Sequence, residues 1–152
     1  ITFWLLGSFT AITPQNLVQL APILIGGMLA LFLLRWRINL LSLEEDEAKT
    51  LGAPIRSTRY LLIIFTTLCT ATAVSITGII GWVGLLVPHI ARLLVGANFI
   101  HLLPVSLLLG ASFLLVTDTL ARNIASIELP IGIINSACGA PFFLYLLLRG
   151  RK

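Results

Sequence analysis

Three small groups of polar residues in this chain have types and spacings that could do chemistry. Asp118 and Arg122 lie four apart, which puts both on one helix face and lets them pair. His89 and Arg92 lie one helical turn apart beside Pro88, a residue that removes a backbone donor and bends a helix. The third group is the run from Asn39, Asn-Leu-Leu-Ser-Leu-Glu-Glu-Asp-Glu-Ala-Lys-Thr-Leu-Gly-Ala-Pro54, the one long polar connection. Within it Ser42 and Glu45 have capping-box spacing, and Leu40, Leu41, Leu43, Ala48 and Leu51 supply apolar contacts. Gly52 and then Pro54 end that short helix. On pattern alone the run is a solvated loop helix or a docking element for a partner. The Asp118–Arg122 pair is a local ion pair or an outer docking point, and His89 with Arg92 is an interface anchor or part of an inner gate.

None of these groups is a catalytic constellation. His89 and His101 are the only histidines, and neither has a second His or a carboxylate nearby in sequence at metal-ligand spacing. The strings G-x-S-x-G, H-E-x-x-H and G-x-x-x-x-G-K-[ST] do not occur. Without a phosphate-cradling loop, any ATP-driven step must belong to another subunit. Cys69 and Cys138 both lie inside apolar runs and read as small buried hydrophobes. The sequence therefore predicts no catalytic residue, cofactor or metal site in this chain.

The elements that must position the polar groups are membrane helices. The chain is 58% hydrophobic, with a mean hydropathy of +1.04, well above the roughly 45–50% apolar content of soluble domains. Its ten Lys and Arg and six Asp and Glu sit in short clusters. Residues 17–34, 60–87, 102–117 and 129–148 carry no formal charge, and a spanning helix needs about 20 mostly apolar residues. An apolar start at Ile1, with no basic lead, reads as the end of a membrane helix in a longer protein.

Threading these runs predicts the end of one helix over residues 1–10, an outer turn at 11–16 and a span at 17–34. The polar stretch 39–57 follows inside. Spans at 58–77 and 82–96 are joined by an outer turn at 78–81, then an inner loop at 97–101 leads to 103–122. An outer loop at 123–128 and a last span at 130–148 complete the path. The short 82–96 element is kept separate because 58–96 as one helix would be nearly twice the core thickness. This threading places nine of the ten basic residues inside and leaves Arg122 alone outside, as the positive-inside rule asks. A nucleic-acid surface would instead gather them on one soluble face. Gly78, Gly81 and Gly84 flank the outer turn, where close approach or unwound backbone is expected. Gly132, Ser136 and Ala140 recur every four residues on one face of the last helix, and Pro141 is expected to kink it.

Taken together these residues resemble the FecCD-type permeases, the membrane subunits of ABC importers for iron–siderophore complexes, haem and cobalamin. The matching strings are Gly78-Ile-Ile-Gly-Trp-Val-Gly-Leu-Leu-Val-Pro-His-Ile-Ala-Arg-Leu-Leu94, Leu103-Pro-Val-Ser-Leu-Leu-Leu-Gly-Ala111, Asp118-Thr-Leu-Ala-Arg122 and Glu128-Leu-Pro-Ile-Gly132. Gly139-Ala-Pro-Phe-Phe-Leu-Tyr-Leu-Leu-Leu-Arg149 and residues 39–52 extend the match over almost the whole chain. Trp82 stands where Phe is usual and Glu44 where Gly is common. Gly81, Gly84, Pro88, His89, Arg92, Asp118, Pro130, Gly132 and Pro141 are the motif residues of these strings.

The resemblance implies an all-α, polytopic bundle: about five spanning helices, the end of a sixth, and short cytoplasmic coupling helices. Residues 1–152 would be the C-terminal half of the transmembrane domain, with 39–57 as its coupling loop. Leu40, Leu43, Glu44, Glu45, Glu47, Ala48, Leu51 and Gly52 would contact an ATPase subunit, and Arg122 would receive a glutamate of a binding protein. The last helix would line the translocation path. The implied partners are an ATPase holding ATP and Mg, a second permease subunit, a periplasmic or lipid-anchored binding protein and the bacterial cytoplasmic membrane. Nothing implies a nucleic acid. Ferric siderophore is the expected cargo, with haem, cobalamin or a molybdate-type oxyanion as alternatives. An ion-coupled secondary carrier is the rival reading, and it would want an ionisable residue near the midplane, whereas Asp118 and His89 sit toward helix ends.

Overall fold

The computed structural model of the chain describes residues 5–10, 12–41, 52, 54–124 and 130–149. Five helices run through them: α1 Pro14–Leu40, α2 Ile55–Thr77, α3 Val83–Val95, α4 Phe99–Ile124 and α5 Ile131–Arg149. Leu5 and Leu6 are also helical, and no strand occurs among the described residues. The all-α reading therefore stands. By length and composition α1, α2 and α4 can each cross a membrane. The 13 residues of α3 rise only about 20 Å, less than a core of about 30 Å. The apolar stretch of α5, Ile131–Tyr145, is also shorter than a full span.

Local chemistry explains the ends. Thr13 caps α1 by accepting from the Asn16 N–H at 3.3 Å, and Pro14 follows at the start of the helix, where its missing donor costs nothing. α1 then runs six residues past the predicted end, through Arg35 and Arg37 to Leu40. No Gly or Pro intervenes, and cations suit the negative end of a helix. Arg35 lies over the Phe32 ring, 3.9 Å from its centroid. α2 begins at Ile55, three residues before the predicted start, because Pro54 accepts both the Thr58 N–H and its hydroxyl at 3.0 Å. α4 begins at Phe99, so His101 belongs to a helix and not to the predicted inner loop. Asn98 supplies the cap that starts it early.

The helices pack along the chain, α1 on α2 and α3 on α4, with α1 also meeting α4 and α5 closing on α3 and α4. Leu86, Val87, Ala91, Leu102, Ala121 and Ile131 form the buried apolar set. Far more apolar surface points outward: Val18, Leu33, Trp36, Leu108 and Leu115 are each 70–72% exposed. That pattern suits lipid and neighbouring helices, not water. Helix contacts in lipid depend on close backbone approach, and α1 meets α2 at such a point. Gly27 is buried there, and a Cβ on it would collide with Cys69 Sγ.

The polar groups inside are handled locally. Hydroxyls of Thr66, Thr72 and Thr77 on α2, and of Ser112, Thr117 and Thr119 on α4, each donate to a carbonyl of their own helix. Asn135 is the exception. It is 1% exposed on α5, and neither its Oδ1 nor its Nδ2 has a hydrogen-bond partner among the described residues.

Two substitutions test this packing in detergent-solubilised protein. Gly27→Ala should lower stability by about 1–3 kcal/mol through overpacking, and adding Cys69→Ala should recover most of the loss in thermal unfolding. Asn135→Leu should raise the melting temperature, because an unsatisfied buried amide costs about 1–3 kcal/mol. A drop would show that the amide has a partner the described contacts lack.

Candidate functional site

Helix direction sorts the chain's polar chemistry to the two ends of the bundle. At one end three chain segments meet through their backbones. The Ser8 N–H donates to the Thr77 carbonyl at 2.9 Å, and the Ile131 N–H donates to the Gly7 carbonyl at 3.1 Å. These bonds bring the first turn of α5 against residues 6–8 and against the turn after α2. Gly132 makes this possible, because a Cβ there would strike the Leu6 carbonyl oxygen. One helical face further along, Gly139 lies against Trp82, whose Cβ would be 2.7 Å from any added methyl.

Trp82 stands at the turn of this end. It precedes α3 with φ of 68°, the one non-glycine residue with positive φ among those described. Its ring meets Phe143 of α5 edge-on, with centroids 6.0 Å apart. Leu6, Ile79, Trp82, Gly132, Ile133 and Ser136 line an apolar cleft of about 380 Å³ beside this contact. Ser136 turns its hydroxyl away to the Gly132 carbonyl at 2.7 Å, so the cleft wall offers little hydrogen bonding.

The last turns of α4 carry the ion pair that the spacing predicts. Arg122 Nε donates to Asp118 Oδ2 at 2.9 Å, and Arg122 is the more exposed partner. Among the described residues only Nε is engaged, which leaves the two Nη groups with donors for a further acceptor. The pair orients the guanidinium and leaves its fork open.

At the opposite end α1 delivers Leu40 in its final turn, partly buried. Leu43, Glu44, Glu45, Glu47, Ala48 and Leu51 lie outside the described residues. Gly52 is described, exposed, with φ of 69° and open space where a Cβ would go. A side chain would fit there but would force the left-handed backbone that favours glycine. Pro88, His89 and Arg92 are exposed along α3, and Pro130 immediately precedes α5, accepting the Ile133 N–H at 3.1 Å. α5 continues through Pro141 to Arg149. No group of three His, Cys, Asp or Glu could hold a metal among the described residues.

Two expectations about small residues change. Gly81 and Gly84 have open space around them among the described residues, and the unusual backbone of the turn falls on Gly78 and Trp82. On α5 the contact residues are Gly132 and Gly139, while Ala140 is exposed. Sequence reasoning missed Gly139 and Trp82 as contact points, since each matters only through a neighbour distant in sequence, and it missed Asn135 as a buried amide. It also missed Asn98, although an Asn two residues after Gly96 and just before an apolar helix is a readable cap signal.

Comparison with known proteins agrees with this arrangement. Residues 1–149 match the model of the FecCD transport family. The chain is 47% identical over 151 residues to the "probable iron chelatin transport system permease protein" of Helicobacter pylori, covering 99% of this chain and 46% of that protein. It is 44% identical to the molybdate import system permease protein MolB of Haemophilus influenzae, covering 99% and 45%. A solved inward-facing structure of a metal-chelate type ABC transporter superposes with a TM-score of 0.92 and 42% identity, covering 97% of this chain and 48% of that one. The chain thus spans about half the length of the relatives it matches. With its family model matched over nearly every residue and its helices superposing on a solved relative, this chain belongs to the FecCD transport family.

Proposed function

We propose that this chain is the C-terminal half of the permease subunit of a binding-protein-dependent ABC importer in the bacterial cytoplasmic membrane. The observation that carries the reading is the superposition of 97% of the chain on about half of a metal-chelate type ABC transporter. The cargo is a ferric siderophore or a related chelate such as haem or cobalamin. It crosses by alternating access between two permease subunits, without covalent chemistry in this chain. ATP and Mg act in a separate ATPase subunit. That protein meets residues 40–52, where Glu44, Glu45 and Glu47 supply polar contacts and Leu40, Leu43, Ala48 and Leu51 apolar ones. A binding protein docks on the other side, its carboxylate taking the Nη donors of Arg122 that the Asp118 bond leaves open.

In this mechanism the permease supplies two packings of similar free energy, and its partners bias which is occupied. The ion pair on α4 favours this reading over ion-coupled transport. A carrier needs a group that changes charge in mid-membrane, whereas Asp118 lies near a helix end and is already paired with Arg122.

The test is transport by the full-length parent in proteoliposomes with its co-purified ATPase. Uptake that requires ATP supports the importer, and uptake without any ATPase would replace it with the carrier. Arg122→Glu should weaken binding-protein docking by about tenfold or more, because it turns an attraction into a repulsion. Unchanged docking would reduce the Asp118 pair to a structural role. Gly52→Pro should leave ATP hydrolysis running while transport falls, since proline cannot adopt the positive φ found there. Normal coupled transport in that variant would remove the docking role of residues 40–52.

A further inference from the structure

The last turn of α1 and the first turn of α4 share a clasp of three hydrogen bonds. Asn39 Nδ2 donates to Asn98 Oδ1 at 2.7 Å. The Phe99 N–H donates to Asn39 Oδ1 at 2.8 Å, and the Ile100 N–H donates to Asn98 Oδ1 at 3.0 Å. The first N–H groups of a helix have no partner within it. Asn98 meets the Ile100 donor in the usual way for a cap, but the Phe99 donor is met by a residue 60 positions earlier. α4 thus begins on a cap built from two helices.

The two backbone donors settle how the amides point. Phe99 N–H requires an oxygen from Asn39, which turns the Asn39 amide nitrogen toward Asn98. Ile100 N–H requires an oxygen from Asn98, which is the acceptor that nitrogen needs. Asn39 must therefore donate and accept at once, while the Asn98 side chain only accepts. A carboxylate could replace Asn98 without loss, and its charge would suit the positive end of α4. A carboxylate at residue 39 could not donate.

Position gives the clasp its consequence. Asn39 directly precedes Leu40, where the proposed ATPase-facing segment starts. α4 has 26 residues, about 39 Å of helix, and its far end carries the Asp118–Arg122 pair. The hydroxyls of Thr66 and Thr72 on α2 and of Ser112 and Thr119 on α4 bond within their own helices, so these four tie no helix to another. We infer that Asn39 and Asn98 are positioning residues for transport: they fasten the root of residues 40–52 to α4, so that a displacement of that segment moves α4 as a rod. Without them the displacement would be absorbed by fraying at the end of α1. The inference rests on the importer reading above.

The test uses the full-length permease with its ATPase and binding protein in proteoliposomes, reading cargo moved per ATP hydrolysed. Asn98→Asp should stay within about twofold of the wild type. Asn98→Ala should lower the ratio about fivefold, the scale of one or two ordinary hydrogen bonds, with ATPase binding retained. Adding Asn39→Asp to Asn98→Asp sets two carboxylates face to face and should lower the ratio at least as far. Equal ratios for Asn98→Ala and Asn98→Asp overturn the clasp, and so does a double variant that matches Asn98→Asp. Where Asn98→Ala does not assemble, the comparison of Asn98→Asp with the double variant decides. Wild-type uptake that proceeds without ATP overturns the importer reading itself, which separates the two failures.

Discussion

Backbone contact without intervening side chains is the constraint on which the rest of this chain depends. In hydrocarbon an unpaired N–H or C=O costs several kcal/mol, by order of magnitude, so breaks between helices are closed by other polar groups, backbone among them. Here Thr77 and Gly7 carbonyls accept from Ser8 and Ile131, and Gly132 lets the chain come near enough for that. The arrangement locks three sequence-distant segments into one end of the bundle. In the turn that leads to the short α3, Gly78 is buried by this arrangement.

Polar side chains follow the same economy. Thr and Ser hydroxyls return to carbonyls one turn back, which keeps the helix surfaces apolar toward lipid. Charge is confined to helix ends, with Arg35 and Arg37 on α1 and the Asp118–Arg122 pair on α4. Between these ends the described residues offer apolar packing, small-residue contacts and one unpartnered amide, Asn135. Such an interior resists water but has few directional bonds to break when helices shift. That suits the alternation between two packings proposed above.

The helices were largely legible because charge and apolar length report directly on what a bilayer admits. α3 shows this well: its expected bounds, 82–96, enclose the observed Val83–Val95. Ends were misjudged where capping by a neighbour overrode local polarity. α1 passes Arg35 and Arg37 because helices accept cations at that end, and α4 starts at Phe99 because Asn39 and Asn98 hold its donors. The Asp118–Arg122 pair could be read from spacing alone. The contacts of Gly27, Gly139 and Trp82 could not, since a glycine in sequence does not say which atom it admits. Gly81 and Gly84 carried the stronger motif signal and have open space around them.

Trp82 also limits how α5 can move. A bulky residue in the left-handed region stores about 1–3 kcal/mol of strain and persists only where its surroundings enforce it. Here the enforcement is the seat at Gly139 and the edge of Phe143. The indole therefore acts as a pawl. Sliding α5 along its axis by one turn would bring Asn135 or Phe143, both with a Cβ, to the place where an added Cβ meets Trp82. A shear of that size along this contact is opposed by the clash with the indole.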